Sequence, residues 1–193
     1  MDAPGAQAPG CDPRLWRRVF VKPIPVGGLR ISPALAQINV AGGSDSGALL
    51  ADYLHRLAQR HINLPFLSLS SVEPTYAAAF CVTANEGDRA RDAAMELPRL
   101  VSRITVLSPV TAVSVFPHHG RLRLLGHLLK ILHEEHVPLL AMGSSISSFT
   151  FTLAQRSLEQ TVDVLEQALA LPENHTPLRS QLQVIQVEQG ELE

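Results

Sequence analysis

The 193-residue sequence is poor in cysteine, in long apolar runs and in excess charge of either sign. Its two cysteines, Cys11 and Cys81, form no motif, which favours a reduced setting over a disulfide-stabilised one. No apolar run reaches the roughly 20 residues of a membrane-spanning helix, and the start MDAPGAQAPGCDP lacks the features of a signal peptide. A net charge of −2 gives no electrostatic basis for binding nucleic acid or a membrane surface. We therefore expect a cytoplasmic protein.

The sequence also lacks a recognisable catalytic or metal-binding arrangement. The serines within Ser144–Ser148 have no histidine or acid tied to them by spacing. His133 and His136 are three positions apart, and His118 and His119 are adjacent, but no carboxylate or cysteine completes a ligand set. The segment GGSDSG has neither the lysine nor the spacing of a phosphate-binding loop. We therefore expect no enzymatic activity and no cofactor.

What the sequence does contain is a stretch, Ile38–Leu67, with the pattern strand, glycine-rich turn, amphipathic helix and second strand. Apolar and polar residues alternate at its start, which is the period of a strand. Two consecutive glycines, the second being Gly43, then permit a sharp turn. Ser44, Asp45 and Ser46 each have a side chain that can cap the helix that follows.

The same order of elements recurs 75 positions later in the chain. The segment Leu49–Leu64 aligns without a gap with Leu124–Leu139. Strands precede and follow both segments, and each copy ends with a second amphipathic helix, so we infer an internal duplication. The identical pairs are Leu49 with Leu124, Leu50 with Leu125, Leu54 with Leu129, Leu57 with Leu132, His61 with His136 and Leu64 with Leu139.

The two copies are expected to occupy residues 35–108 and 109–172. Each follows the order β-α-β-β-α-β of a ferredoxin-like sandwich, an α+β fold whose helices cover one face of an antiparallel sheet. If the two units pair sheet to sheet, four helices cover one side of an eight-stranded sheet. The predicted elements are strand 36–41, helix 46–60, strand 62–71, strand 75–84, helix 87–98 and strand 101–107, then strand 110–116, helix 121–135, strand 137–145, strand 147–155 and helix 157–171.

The ends of the chain leave one question open. Residues 1–18 are rich in Ala, Pro and Gly near their start and are expected to be disordered. The second copy needs a last strand, and two segments can supply it. One is the extended arm at residues 19–34, and the other is the alternating stretch 180–189 in the C-terminal tail, residues 173–193.

Four local motifs together resemble a known family. Val40–Gly47 fills a turn that in this family carries an acidic residue before Pro-Gly, although Ser46 stands where the proline is usual. His61–Leu64 is similar to the family's start of the second strand. Gly143–Phe149 is similar to its Thr-Ser-Glu-Ile-x-Ile-Ser hairpin, and Leu158–Leu169 to its second helix. The chain thus resembles a tandem pair of ACT domains, more narrowly the regulatory C-terminal region of aspartokinases.

The resemblance implies a non-catalytic regulatory module that binds an amino acid effector and pairs into a homodimer. The 34 residues before the first copy are too few for a kinase domain. Free N–H groups at a helix start favour a carboxylate, Asp45 suits an ammonium group, and Asn63 offers both donor and acceptor. Helix capping alone explains the same residues. The candidate ligand-binding residues are Gly43, Ser44, Asp45, Ser46, Gly47, Ile62 and Asn63.

The second copy departs from the family at its own turn, Phe116–Arg121, which has no acidic residue. Effector binding is therefore expected in the first copy rather than in the second. The alternative interpretation is that the repeats bind no ligand. They would then serve for oligomerisation, or for docking to an amino-acid biosynthetic enzyme such as an aspartokinase.

Overall fold

A computed structural model describes residues 22–42, 46–72 and 75–173 of the chain. The predicted disorder over 1–18 and the candidate strand at 180–189 lie outside these residues. The strands are β1 Ile24–Pro25, β2 Gly28–Ile31, β3 Leu35–Gly42, β4 Phe66–Val72, β5 Thr75–Thr83, β6 Ile104–Phe116, β7 Leu139–Ser144, β8 Phe149–Ala154 and β9 Leu169–Ala170. The helices are α1 Ser46–Gln59, α2 Gly87–Met95, α3 Pro98–Val101, α4 Leu122–Glu134 and α5 Leu158–Ala168.

Seven strands form one sheet in the order β4-β5-β3-β6-β8-β7, with β2 also paired to β6. All pairs in this sheet are antiparallel, whereas β1 and β9 form a separate parallel pair. The mixed α/β architecture with an antiparallel sheet is as the sequence predicted. Within the described ranges, no helix is long and apolar enough to cross a membrane.

The strand β6 serves both halves of the sheet. Two separate strands were expected at 101–107 and 110–116, but β6 is one strand of 13 residues. Its register against β3 shifts between Leu35 and Gln37, which is a β-bulge that takes up one extra residue. The bulge reverses the alternation of side chains, so Val106 and Val113 both face the helices. Sharing β6 is why the main sheet has seven strands instead of eight.

The edge beside the second half of β6 is occupied by β2. Gly28 lies opposite Phe116 and Ile31 opposite Val113. The strand order β7-β8-β6-β2 therefore repeats the order β4-β5-β3-β6 of the first half. Of the two candidates for the last strand of the second copy, the N-terminal arm occupies this position in the structure.

Several predicted boundaries extended too far. The strand expected at 62–71 begins only at Phe66, and the helix expected over 87–98 divides into α2 and the short α3. At the first of these boundaries His61 has a positive φ of 56° and Pro65 lacks a backbone donor, so the chain between them is irregular. The helix expected to reach residue 171 ends at Ala168, where β9 begins.

Two apolar cores lie between the helices and the sheet. The first core packs α1 and α2 on β3 and β5, with Tyr53 and Phe80 fully buried. The second core packs α4 and α5 on β6 and β8, around Phe151 and Leu165. A Tyr53 side chain that donates a hydrogen bond of 2.7 Å to the Ala90 carbonyl ties α1 to α2. Each half of the sheet thus has its own pair of helices.

On the side away from the helices, the sheet curves so that its two outermost strands approach each other. Leu35, Phe66, Cys81 and Ala112 form a third cluster with Ala141 of β7. The two terminal strands β4 and β7 meet there: Ser68 Oγ of β4 donates to the Met142 carbonyl of β7 at 3.1 Å. The sheet is therefore folded over, and both halves share this inner face.

Candidate functional site

The first turn joins the end of β3 at Gly42 to the start of α1 at Ser46. Gly43, Ser44 and Asp45 lie outside the described residues, and so does the side chain of Ser46. Gly47 is half-buried, and a Cβ at this position would lie 3.7 Å from the Tyr76 ring of β5. The first turn therefore adjoins the end of β5 that carries Tyr76.

Ile62 and Asn63 follow the C-terminal cap of α1. The His61 N–H donates to the Ala58 carbonyl at 2.9 Å, and the Ile62 N–H donates to the Leu57 carbonyl at 3.0 Å, the two bonds of a Schellman motif. The Ile62 side chain is buried in the first core, and Asn63 is exposed. Ile62 is thus a packing residue by its contacts, and only the Asn63 side chain is open to solvent.

The end of α4 has the same cap as the end of α1. The His136 N–H donates to the His133 carbonyl at 3.0 Å, and the Val137 N–H donates to the Leu132 carbonyl at 2.8 Å. His61 and His136 both have a positive φ, 56° and 58°. Short 3₁₀ turns also precede both α2 and α5. The duplication seen in the sequence therefore extends to the backbone conformation.

The second turn is filled by its own histidine. His118 is only 5% exposed, and its ring stacks on Phe149 with centroids 4.1 Å apart and planes 12° from parallel. The Gly120 N–H donates to His118 Nδ1 at 2.9 Å, which assigns the ring proton to Nε2 and makes Nε2 the donor to the Ser145 carbonyl at 3.0 Å. The backbone N–H of His118 donates to the Ser147 carbonyl at 3.0 Å. His118 thus joins the turn to the β7–β8 hairpin.

The strand register shows which residues of the first half correspond to His118 and Phe149 of the second. Val115 of β6 is paired with Phe149, and its counterpart Val40 of β3 is paired with Ala78. The 75-residue offset sets His118 against Gly43. The large stacked pair of the second turn is therefore matched by two small residues, Gly43 and Ala78, at the first turn.

A buried polar link connects the two halves behind the first turn. Thr152 Oγ1 of β8 donates to Gln37 Oε1 of β3 at 2.6 Å, and Gln37 Nε2 donates to Asn39 Oδ1 at 2.9 Å. Gln37 and Thr152 are fully buried. The link runs along β3 towards the turn that begins after Gly42. Sequence reasoning missed it, because a glutamine in an alternating strand is normally a solvent-facing residue.

Burial shifts the pKa of Cys81 and of His127 away from their ordinary values. Burial raises the pKa of the Cys81 thiol to about 12, so it is protonated and unreactive at neutral pH. Burial, followed by repulsion from Lys130 and Arg123, lowers the pKa of His127 on α4. Across residues 22–42, 46–72 and 75–173, no group of three or more His, Cys, Asp or Glu side chains is placed to hold a metal ion.

No protein-family model and no curated protein matches the sequence. Solved structures do match the fold. The regulatory subunit of aspartate kinase from Thermus thermophilus has a TM-score of 0.66 at 16% identity, covering 75% of this chain and 99% of that one. The regulatory subunit from Thermus flavus has a TM-score of 0.66 at 15% identity, covering 74% and 97%.

A longer enzyme matches over about a third of its chain. The E. coli aspartokinase III structure in complex with lysine and aspartate has a TM-score of 0.55 at 16% identity, covering 78% of this chain and 35% of that one. At these identities the likeness establishes the fold alone. The chain therefore has the fold of the aspartate kinase regulatory subunits, as its motifs indicated.

Proposed function

We propose that this chain is a non-catalytic regulatory module of two tandem ACT-type units, residues 35–108 and 109–172, that binds a small amino acid at the first turn. In this proposal β2 completes the second unit, and the modules pair into a homodimer. The fold shared with aspartate kinase regulatory subunits supports a regulatory role. The E. coli enzyme with that fold was crystallised with lysine and aspartate, which suggests the class of ligand.

The observation that carries the proposal is the difference between the two turns. The second turn is occupied by the stacked pair His118 and Phe149, whereas the first has Gly43 and Ala78 at the matching positions. A small ligand at the first turn would take the place that the histidine ring takes at the second. The binding residues we propose are Gly43, Ser44, Asp45, Ser46, Gly47, Ile62 and Asn63.

The chemistry of the first turn suits a zwitterion. Helix α1 has 14 residues and no acidic residue in its first turn, so no carboxylate of that turn competes for its N-terminal N–H groups. These groups would bind the α-carboxylate, and Asp45 would bind the α-ammonium. Asn63 would add one donor and one acceptor, while Ile62 would act through packing because its side chain is buried and its N–H is used in the cap.

A thermal-shift screen against the twenty amino acids tests the proposal. We expect one amino acid, or a small related group, to raise the melting temperature in a saturable way, because a ligand that binds only the native state stabilises it. Asp45→Ala should abolish the rise, whereas Asp52→Ala, on the exposed side of α1, should preserve it. A rise that is unchanged in Asp45→Ala would remove the first turn as the site.

The second candidate function is a ligand-free interaction module that docks to an amino-acid biosynthetic enzyme such as an aspartokinase. Two exposed apolar residues beside the filled second turn favour it: Leu122 is 78% exposed and Ile146 is 98% exposed. Gel filtration with an aspartokinase would show a complex that Leu122→Lys with Ile146→Lys disrupts. Met95→Lys, at an exposed apolar position on α2, is the control and should leave the complex intact.

A further inference from the structure

A groove of about 550 Å³ runs between α4 and α5, well away from the first turn. Its apolar lining consists of Ile131 from α4 and Val164 and Ala168 from α5, all half-buried. His127 adds a ring that is 8% exposed. The groove thus presents apolar side chains that those of a docked segment can contact.

The rim of this groove is acidic. Glu134 at the end of α4 and its C-cap residue Glu135 border the groove on one side, and Glu159 and Asp163 border it from α5. Lys22 is the single lysine or arginine among the lining residues. Lys130 lies 3.8 Å from Glu134 and offsets part of this charge. The excess of carboxylates favours an occupant that is apolar on one side and positively charged on the other.

The described part of the chain begins at this groove. Lys22, the first described residue, and Pro23 line it, so the segment before them is attached to the chain at the groove. Those residues, Asp12–Val21, read DPRLWRRVFV and contain three arginines and no acid after Asp12. Ten residues span about 15 Å as a helix, close to the length of about 17 Å for the 11 residues of α5.

The pattern of this segment matches the groove. Leu15, Trp16, Val19 and Phe20 recur at the spacing of one face of an amphipathic helix. Two of the three arginines, Arg17 and Arg18, fall between them. Asp before Pro is also a frequent start of a helix. We propose that the segment Asp12–Val21 docks in the α4–α5 groove of its own chain, with its apolar residues inward and its arginines on the acidic rim. This inference is independent of amino acid binding.

The composition near the start of residues 1–18 favours disorder, so the docked segment would begin at about Asp12.

The single tryptophan of the chain, Trp16, provides the test without any label. In the full-length protein we expect its emission to be blue-shifted from that of a synthetic peptide of residues 12–21, and its quenching by iodide to be several-fold weaker. Both values should be unchanged on dilution, because the segment docks within its own chain. Emission and quenching equal to those of the peptide would overturn the proposal, and protection lost on dilution would assign the groove to a second copy.

Charge-reversal variants test whether Trp16 is protected by docking in the groove or by a general electrostatic attraction. Asp163→Lys lies on the rim and should shift Trp16 emission to the red, whereas Glu166→Lys, on the same helix but outside the groove lining, should not. Replacing Arg17 and Arg18 by Glu should also expose Trp16. Adding Asp163→Lys to that variant should restore protection. Equal responses to Asp163→Lys and Glu166→Lys, with far-UV circular dichroism unchanged, would sink the proposal.

Discussion

At the scale of single residues, His118 decides the character of the second turn. Where the first turn has Gly43 at the aligned position, the second has a buried imidazole that accepts one hydrogen bond, donates another and stacks on Phe149. In the proposed function, this side chain would exclude a ligand from the second turn by occupying its place. The binding proposed for the first turn depends on this difference in side-chain size between Gly43 and His118.

Replacing this histidine should destabilise the fold. His118→Ala leaves the Gly120 N–H and the Ser145 carbonyl without their partner and opens a cavity beside Phe149, so we expect a loss of about 2–4 kcal/mol in unfolding free energy. The exposed neighbour His119 also has a positive φ, 50°, which asparagine tolerates, so His119→Asn should change stability by less than about 0.5 kcal/mol. Urea unfolding measures the change in unfolding free energy for both variants. Equal losses in the two would contradict a structural role for the His118 ring.

His127 should make the stability of the second half depend on pH. Burial, with Lys130 and Arg123 nearby and only Glu134 opposing them, lowers its pKa in the folded protein below the ordinary 6.5. The unfolded chain then binds a proton that the folded chain does not, so this contribution to stability is lost as the pH falls below about 6.5.

His127→Gln should flatten this dependence. Unfolding free energies measured by urea at pH values from about 7.5 to 5.5 should fall less steeply in the variant than in the wild type. His55→Gln, at an exposed position of α1, serves as the control and should retain the wild-type slope. Identical slopes in all three proteins would exclude His127 as the group responsible.

At the scale of elements, the buried link between β3 and β8 couples the two halves. Gln37 and Thr152 lie on opposite sides of β6, and their hydrogen bond of 2.6 Å crosses that strand on the inner face of the sheet. Each would be a buried polar group without its partner if the other were removed. The bond therefore favours one arrangement of the two halves over others.

A double-mutant cycle measures this coupling. Gln37→Leu and Thr152→Val should each cost about 1–3 kcal/mol, because each removes the 2.6 Å hydrogen bond from its buried partner. After Gln37→Leu, Thr152 Oγ1 keeps only the longer 3.4 Å bond to the Ala141 carbonyl. The double variant should be less destabilised than the sum, with an interaction energy of about 0.5–3 kcal/mol from urea unfolding. Strict additivity would show that the link contributes no coupling.

Much of the element order was available from the sequence. The apolar spacing from Leu50 to Leu57 predicted α1 at 46–60 against the observed Ser46–Gln59. β6 could not be predicted as one strand, because Pro109 and a change in alternation between Val106 and Val113 both indicate an interruption. The bulge that accommodates them depends on pairing with β3, a partner far away in the sequence.

The candidate site could be predicted only in part. The motifs indicated the first turn, but His118 carried no local sign of burial and stood beside a second, exposed histidine. One signal was present: the offset of the duplication sets Gly43 against His118. Interpreting that signal also required the strand register, which places Ala78 in the first half where the second half has Phe149. Strand register is a property of the tertiary structure.

At the scale of the whole molecule, the shared strand β6 makes the two halves a single sheet. Each half has its own helix-side core, but the third cluster on the inner face draws residues from both. Two domains that share a strand cannot unfold independently without breaking that strand's hydrogen bonds. The architecture therefore favours cooperative unfolding.

Calorimetry should show one transition. Phe80→Ala in the first core and Phe151→Ala in the second should each lower the temperature of that single transition, at a cost of about 3–5 kcal/mol, because each leaves a cavity in a fully buried site. Two separate transitions, with each variant shifting only one of them, would show that the halves are energetically independent.

The central claim is that the first turn is the one amino acid site of the chain. Isothermal titration calorimetry of the full-length protein with the amino acid found by thermal shift tests it most directly. We predict one ligand bound per chain in the wild type and in Asp52→Ala, and no measurable binding in Asp45→Ala. Two ligands per chain, or unchanged binding in Asp45→Ala, would contradict the claim.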